Sequence, residues 1–333
     1  MTTSAASSID VVVAAGDRAG SRTVRGEIKP FLTLAGAPVL HHVLAAVEAA
    51  RTTARIFVVG DKARIERSLE SSASSPIRGL RPITVVEQGA TLYENAWFGF
   101  RAALGPDAPP SSESEDLTPE VRDKPILYVA GDAPLVTPAE LDELVGASDL
   151  ARFDYCLGVN TEPTLAPFYP RDGRPGIRMS YWEIRDLSWR QSNLNLVRPF
   201  RFGGRHSMNR LYEIRHQRDI RNALKFCTWL WRNHHVSGKT VTAFASLQIA
   251  RVARRLDMLR SPLFRPLLLD YAKMADVVSA GMQTRFTMVE THYGGAALDV
   301  DDAEAYDAIV ANFDVWREHL ARIAAERGGT PAR

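Results

Sequence analysis

Ile9-Asp10-Val11-Val12-Val13-Ala14-Ala15-Gly16-Asp17-Arg18-Ala19-Gly20-Ser21-Arg22 is the stretch on which the fold turns. Its first half is a short, β-branched apolar run, the pattern of a buried strand. The strand empties into a small-residue loop carrying two glycines and two arginines. A loop of this kind at a strand end offers backbone N–H groups and guanidinium groups to an anion. Lys29-Pro30-Phe31-Leu32 begins seven residues after Arg22 and supplies a further cation, which suits a polyphosphate better than a single phosphate. Pro38-Val39-Leu40 then opens a helix.

The pattern repeats downstream. Arg55–Asp61 reads as a second strand and turn, Ile83–Glu87 as a third strand, and Leu92–Leu104 as a helix. Residues 105–124 are rich in proline, serine and acid, the composition of a solvated loop. Pro125–Ala130 is a fourth strand. Strands alternating with helices predict an α/β fold, a mostly parallel twisted sheet with helices on both faces. Ligands of such sheets sit at the carboxyl ends of the strands. The glycine loop, Gln88-Gly89 and Gly131-Asp132 all fall at such ends.

Composition excludes several classes. The 333 residues are 45% hydrophobic and 24% charged, with a net charge of +2, so a substantial core is affordable and no polyelectrolyte role follows. Cys156 and Cys227 form no CxxC pair, which argues against a zinc ribbon and fits a reducing compartment. Met1–Ser8 lacks a basic leader pattern, and the apolar run after it is short for a signal peptide or a spanning helix. The expected location is cytoplasmic.

From residue 200 the texture changes. Residues 200–260 hold eleven Arg and two Lys against three acidic residues, with helical patterning over 209–233, 241–259 and 267–280. The expected organisation is a core over 1–199, a basic helical insertion over 200–282, and a return to the core over 283–333, with a strand at Thr284–Glu290 and a last helix at Ala303–Glu326. Arg205, Arg210, Arg215, Arg218 and Arg221 alternate with apolar residues. A solvated helix face explains them, with contact to an anionic membrane surface or lipid-linked phosphate the less favoured alternative. No nucleic-acid module is recognisable, and His234-His235 lacks partners at metal spacing.

Two acidic motifs carry chemistry. In Gly131-Asp132-Ala133-Pro134 a carboxylate sits at a strand end where a divalent cation would bind, or where an Asx turn precedes the helix opening at Thr137-Pro138-Ala139-Glu140. In Leu298-Asp299-Val300-Asp301-Asp302 a second group of acids precedes the last helix, which Asp302 would cap and the acids would stabilise through its dipole. Mg²⁺ takes one or two carboxylates plus phosphate oxygens, which two aspartates from distant strand ends would meet. No Ser/His/Asp or paired-glutamate constellation appears.

These motifs, in this order, resemble the MobA-like nucleotidyltransferases of the GT-A-like fold, over about residues 9–145 and 284–310. The resemblance implies that Ala14, Ala15, Gly16, Arg18, Gly20, Ser21, Arg22 and Lys29 bind a nucleoside triphosphate, although Gly16 and Arg22 are six apart where the family pattern has four. It implies that Asp132 and Asp301 bind Mg²⁺, with Asp299 and Asp302 as neighbours able to substitute; Asp302-Ala303 stands where the family has Thr-Pro. Gln88, Gly89, Ala90 and Thr91 correspond to the base-reading turn, whose Gly-Ala-Thr order resembles cytidylyltransferases while Gln88-Gly89 also resembles uridylyltransferases; Asn95 stands where some cytidine-selective members carry serine, and CTP is the favoured nucleotide. Asn193 falls where the family often has an acceptor-facing asparagine, and His292 lies close enough in sequence to the acids to touch the acceptor. Both also read as ordinary structural residues, and Arg178, Tyr181 and Arg190 read equally as facing an acidic acceptor or as surface residues. The implied activity is Mg²⁺-dependent transfer of a nucleotidyl group to a small phosphorylated acceptor with release of pyrophosphate. Alternatives are a nucleotide-sugar glycosyltransferase, for which the expected D-x-D is missing after Gly131, and a non-catalytic nucleotide-binding protein.

Overall fold

The computed structural model describes residues 8–16, 23–71, 74–106, 108–111, 114, 116–185, 187–203, 246, 261 and 265–328. The strands of its main sheet are β1 (Ile9–Ala15), β2 (Thr53–Gly60), β3 (Ile83–Glu87), β4 (Ile126–Ala130), β5 (Tyr155–Thr161), β6 (Trp182–Ile184), β7 (Leu187–Val197) and β8 (Phe286–Glu290). Its longer helices are α1 (Val39–Ala49), α2 (Lys62–Ser71), α3 (Leu92–Leu104), α4 (Pro138–Ala147), α5 (Tyr271–Met282) and α6 (Ala303–Glu326).

The eight strands form one sheet in the order β8-β5-β7-β4-β1-β2-β3, with β6 paired to β7. β1 runs parallel to both β2 and β4, β3 parallel to β2, and β8 parallel to β5. β7 is antiparallel to β4 and β5, so the sheet is mixed but mostly parallel, as the strand–helix alternation predicts. The chain leaves β1 toward β2 and β3 on one side and builds β4 and its neighbours on the other. That change of direction opens a crevice at the carboxyl ends of β1 and β4.

Burial explains the continuous apolar strands. Val11 and Val13 face one side of the sheet and pack with Leu40, Val43, Leu44 and Val47 of α1. Val12 faces the other side and packs with Phe57, Val59, Phe100 and Ala103. With both faces covered, no position of β1 is left for polar alternation except Asp10. A third cluster seats α6, through Ile309, Phe313 and Trp316, against Leu135, Phe168, Leu298 and Val300.

The helix starts follow their caps. Thr91 and Glu94 form a reciprocal capping box at α3. Thr137 caps α4, and Asp302 caps α6 by accepting from Ala305 N at 2.9 Å. The bounds of α3, β3 and α6 coincide with those read from sequence. The predicted strand at 284–290 starts two residues later, at Phe286, and the predicted helix at 267–280 becomes a 3₁₀ turn at Arg265–Leu267 followed by α5, which packs on the sheet through Met274. The predicted helices at 209–233 and 241–259 lie outside the described residues. Among the described residues no helix is long and apolar enough to cross a membrane.

Asp10 begins β1 almost wholly buried. It receives Arg55 Nε and Nη2 at 2.9 and 2.7 Å and lies 2.8 Å from Lys124 Nζ. Burial pushes its carboxyl up, but Arg55 and Lys124 outweigh burial and hold it below its ordinary value of 3.8. A folded-state value below the unfolded one stabilises the fold above the unfolded pKa, and the stabilisation fades as pH falls through the folded one. Asp10→Asn is expected to cost about 1.5–3 kcal/mol at neutral pH. Denaturant unfolding of the two proteins should converge as pH drops below the ordinary aspartate range.

Candidate functional site

The crevice starts where β1 and β4 come closest. Gly131 N donates to Ala14 O at 2.8 Å, and a Cβ on Gly131 would lie 2.5 Å from that same oxygen, so only glycine allows the approach. Ala14, Ala15 and Gly16 therefore end beside Asp132. Arg18, Gly20, Ser21 and Arg22, the rest of the predicted anion loop, lie outside the described residues.

Gly16 also faces the turn after β3. A Cβ on Gly16 would meet Asn95 Nδ2 at 2.9 Å and Gln88 Oε1 at 3.3 Å. Asn95 Oδ1 accepts from Gly89 N at 2.6 Å, which fixes the turn, while Ala90 N and Thr91 N donate to Glu94. The Thr91 hydroxyl accepts from Glu94 N at 3.1 Å as the cap of α3. The structure thus brings Gly16, Gln88, Gly89 and Asn95 together.

Lys29 enters from a 3₁₀ turn, Lys29–Phe31, stiffened by the buried Pro30. Its ammonium lies 3.5 Å from Asp132 Oδ2 and 3.3 Å from Asp301 Oδ1. Arg190 of β7 stands on the other side, 3.0 Å from Asp299 Oδ1 and 3.9 Å from Asp301 Oδ2. Asp132, Asp299 and Asp301, far apart in sequence, thus share two cations. The backbone closes the arrangement: Val300 N donates to Asp132 O at 2.9 Å.

The electrostatics follow from crowding. Burial first, then Asp299, raises Asp132 from 3.8 to about 6, with Lys29 offsetting part. Burial and then the charge of Asp301 also raise Asp299 above its ordinary value, with Arg190 offsetting part. Burial pushes Asp301 up too, but Lys29, the Asp299 hydrogen bond and Arg190 hold it below the ordinary range. Burial works against the Lys29 ammonium, yet the Asp132, Asp301 and Asp299 carboxylates outweigh it and raise its pKa.

Among the described residues no three His, Cys, Asp or Glu side chains are disposed to hold a metal by themselves. The donor set nonetheless suits a hard divalent cation that takes one or two carboxylates and completes its shell with water and phosphate oxygens. Asp132 and Asp301, already drawn to one shared positive charge, would hold such an ion, and Asp299 stands beside them.

Two predicted acceptor residues have other partners. Asn193 takes φ = 58° where β7 slips register between Gln191 and Asn195, and its Nδ2 donates to Ala296 O at 3.1 Å. It braces the loop ahead of the acids. The His292 ring bonds Glu143 of α4 at 2.8 Å, and its backbone N–H donates to the same carboxylate. Arg190, readable from sequence as either acceptor-facing or a surface residue, instead pairs with Asp299, 109 positions on, to which nothing in the linear pattern of β7 ties it.

The sequence profile described as the MobA-like NTP transferase domain matches residues 11–190, more than half of the chain. A solved hypothetical transferase from Thermus thermophilus is 16% identical, with a TM-score of 0.52, covering 88% of this chain and 97% of that one. A solved CMP:2-keto-3-deoxy-manno-octonic acid synthetase complexed with CTP is 12% identical, with a TM-score of 0.44, covering 93% of this chain and 99% of that one. No curated protein matches the chain. The fold is thus one that a solved transferase shares at low identity, and the profile match over residues 11–190 establishes that the chain belongs to the MobA-like NTP transferase family and is a nucleotidyltransferase.

Proposed function

We propose that the protein transfers a nucleotidyl group from a nucleoside triphosphate, CTP preferred, to a small phosphorylated acceptor, releases pyrophosphate, and requires Mg²⁺. The observation that carries the reading is the Lys29 ammonium held between Asp132 and Asp301 at the mouth of the β1–β4 crevice. A polyphosphate needs cations there, and a divalent ion needs carboxylates; one site supplies both.

In the proposed reaction an acceptor phosphate oxygen attacks the α-phosphorus in line. The new P–O bond forms as the bond from the α-phosphorus to the bridging oxygen breaks, and pyrophosphate carries away that electron pair. An acceptor phosphate is ionised at neutral pH, so no protein base is required, in keeping with a site that offers carboxylates and cations but no nucleophile–base pair. Lys29 turns from the carboxylates to the phosphates and offsets charge on the leaving group, with Arg22 assigned the same role by the family pattern. Asp132 and Asp301 would hold Mg²⁺, whose chemistry when bound is to neutralise phosphate charge. Gly16, Gln88, Gly89 and Asn95 form the surface offered to the base, and the Gly89-Ala90-Thr91 order is what favours cytosine. Positioning supplies the remaining rate.

The test is pyrophosphate release from each of CTP, UTP, GTP and ATP with Mg²⁺, against sugar, polyol and amino-alcohol phosphates. Acceptor-dependent release, highest with CTP and abolished in Asp132→Ala, is expected. Release that needs no Asp132, or no Mg²⁺-dependent thermal shift with any nucleotide, overturns the proposal. Lys29→Met should lower kcat by about 10²–10³-fold, measured at saturating nucleotide.

The same carboxylate predicts a stability change of opposite sign. In the fold Asp132 keeps its proton up to about pH 6, whereas its ordinary value is 3.8. Its contribution to stability is therefore present below the lower value and lost as pH rises through the higher one. Asp132→Asn cannot ionise, so it should be about 1–2 kcal/mol more stable than wild type at pH 8 and indistinguishable at pH 4, by chemical denaturation with chelator present.

A further inference from the structure

Glu140 occupies the third position of α4, where its backbone N–H donates to the Thr137 hydroxyl at 3.2 Å. In a capping box the glutamate side chain would reach back to the backbone N–H of that threonine. Here it points elsewhere. Glu140 is wholly buried, and its carboxylate accepts from Ala296 N at 2.9 Å, Thr291 Oγ1 at 3.1 Å and Gly294 N at 3.3 Å. Asn160 of β5 completes the node, donating to Thr291 O at 2.8 Å and to Thr291 Oγ1 at 2.9 Å.

The loop gripped in this way runs from the end of β8 to Asp299 and Asp301. On its other side it is pressed against the turn that carries Asp132. A Cβ on Gly295 would lie 2.0 Å from Leu135 O, and Val300 N donates to Asp132 O. Glu140 therefore lies behind the loop, and the Asp132 turn lies in front of it.

We infer that Glu140 is a positioning residue for the acidic site: it holds the 291–298 loop against the Asp132 turn and so sets the separation of Asp132 from Asp299 and Asp301. The inference rests on reading Asp132 and Asp301 as the cation-binding pair. A carboxylate presents two acceptor oxygens to the three donors, whereas the amide of Glu140→Gln presents one and turns an NH₂ toward the Ala296 or Gly294 N–H. Groups that orient metal-binding residues from behind typically cost about 10–100-fold in metal affinity when altered.

The experiment uses the full chain with Mn²⁺ as the metal probe and CTP present. Mn²⁺ affinity is read by electron paramagnetic resonance, and loop order by amide hydrogen exchange. In Glu140→Gln the Gly294 and Ala296 amides should exchange about tenfold faster, with α6 unchanged, and Mn²⁺ should bind about tenfold more weakly. Thr291→Val, which removes one donor of the same node, should shift both readouts in the same direction by less, and it decides the matter if Glu140→Gln does not fold. Mn²⁺ affinity within about twofold of wild type overturns the inference, as does weaker binding without faster exchange at Gly294 and Ala296. Asp132→Ala separates the two readings. If it abolishes Mn²⁺ binding while Glu140→Gln does not weaken it, only the positioning role fails. If Asp132→Ala leaves binding untouched, the cation-pair reading fails and takes the inference with it.

Discussion

Three carboxylates share too little positive charge at the mouth of the β1–β4 crevice, and much of the surrounding structure is explained by that shortage. Asp132, Asp299 and Asp301 have Lys29 and Arg190 between them. Burial first, and then the neighbouring carboxylates, hold Asp132 and Asp299 above their ordinary values. Left to themselves, like charges at this spacing would push their segments apart. The fold resists by anchoring the segments through their backbones: Gly131 N to Ala14 O and Val300 N to Asp132 O.

Those anchors join parts of the chain that are remote in sequence, which is why the site exists only in the folded protein. The family profile ends at residue 190. Asp299 and Asp301 lie more than a hundred positions beyond it, yet β8 pairs in parallel with β5 and returns the chain to the same end of the sheet as β4. Antiparallel β7, wedged between β4 and β5, delivers Arg190 to Asp299 and Asn193 to Ala296. The carboxyl-terminal part of the chain therefore completes a site that the amino-terminal part begins.

Local signals made much of this visible in the sequence. β1, β3 and β4 are short apolar runs, and α3 and α6 carry strong caps, so their existence and, for several, their limits follow from propensity and capping alone. The Lys29, Asp132 and Asp301 association was legible only through the family pattern, and the structure supplies the distances. β7 was legible only as the late strand that the family resemblance implies at Asn193, because its alternation breaks at Ser192-Asn193, where a left-handed asparagine and a register slip interrupt the pleat. Glu140 was legible only as part of the helix start at Thr137-Pro138-Ala139-Glu140, because its actual partners lie about 150 residues away. His292 read from sequence either as an acceptor contact, by its nearness to the acids, or as a loop histidine without a role; its partner Glu143 lies 149 residues earlier, beyond the reach of any local pattern.

A site assembled in this way is costly, and where the cost is borne is informative. Ionised carboxylates beside one another lower stability at neutral pH, and a buried glutamate such as Glu140, raised by burial to about 7 despite three donors, adds to it. Neither arrangement improves packing: α6 and the sheet already bury their apolar faces through Ile309, Phe313, Trp316 and Leu135. Residues that oppose stability yet are held by several hydrogen bonds each are accounted for by what they bind rather than by what they pack. On the proposed function the acidic loop and the glutamate behind it would form one device, in which a fixed backbone keeps negative charge in place for a cation and a polyphosphate to neutralise.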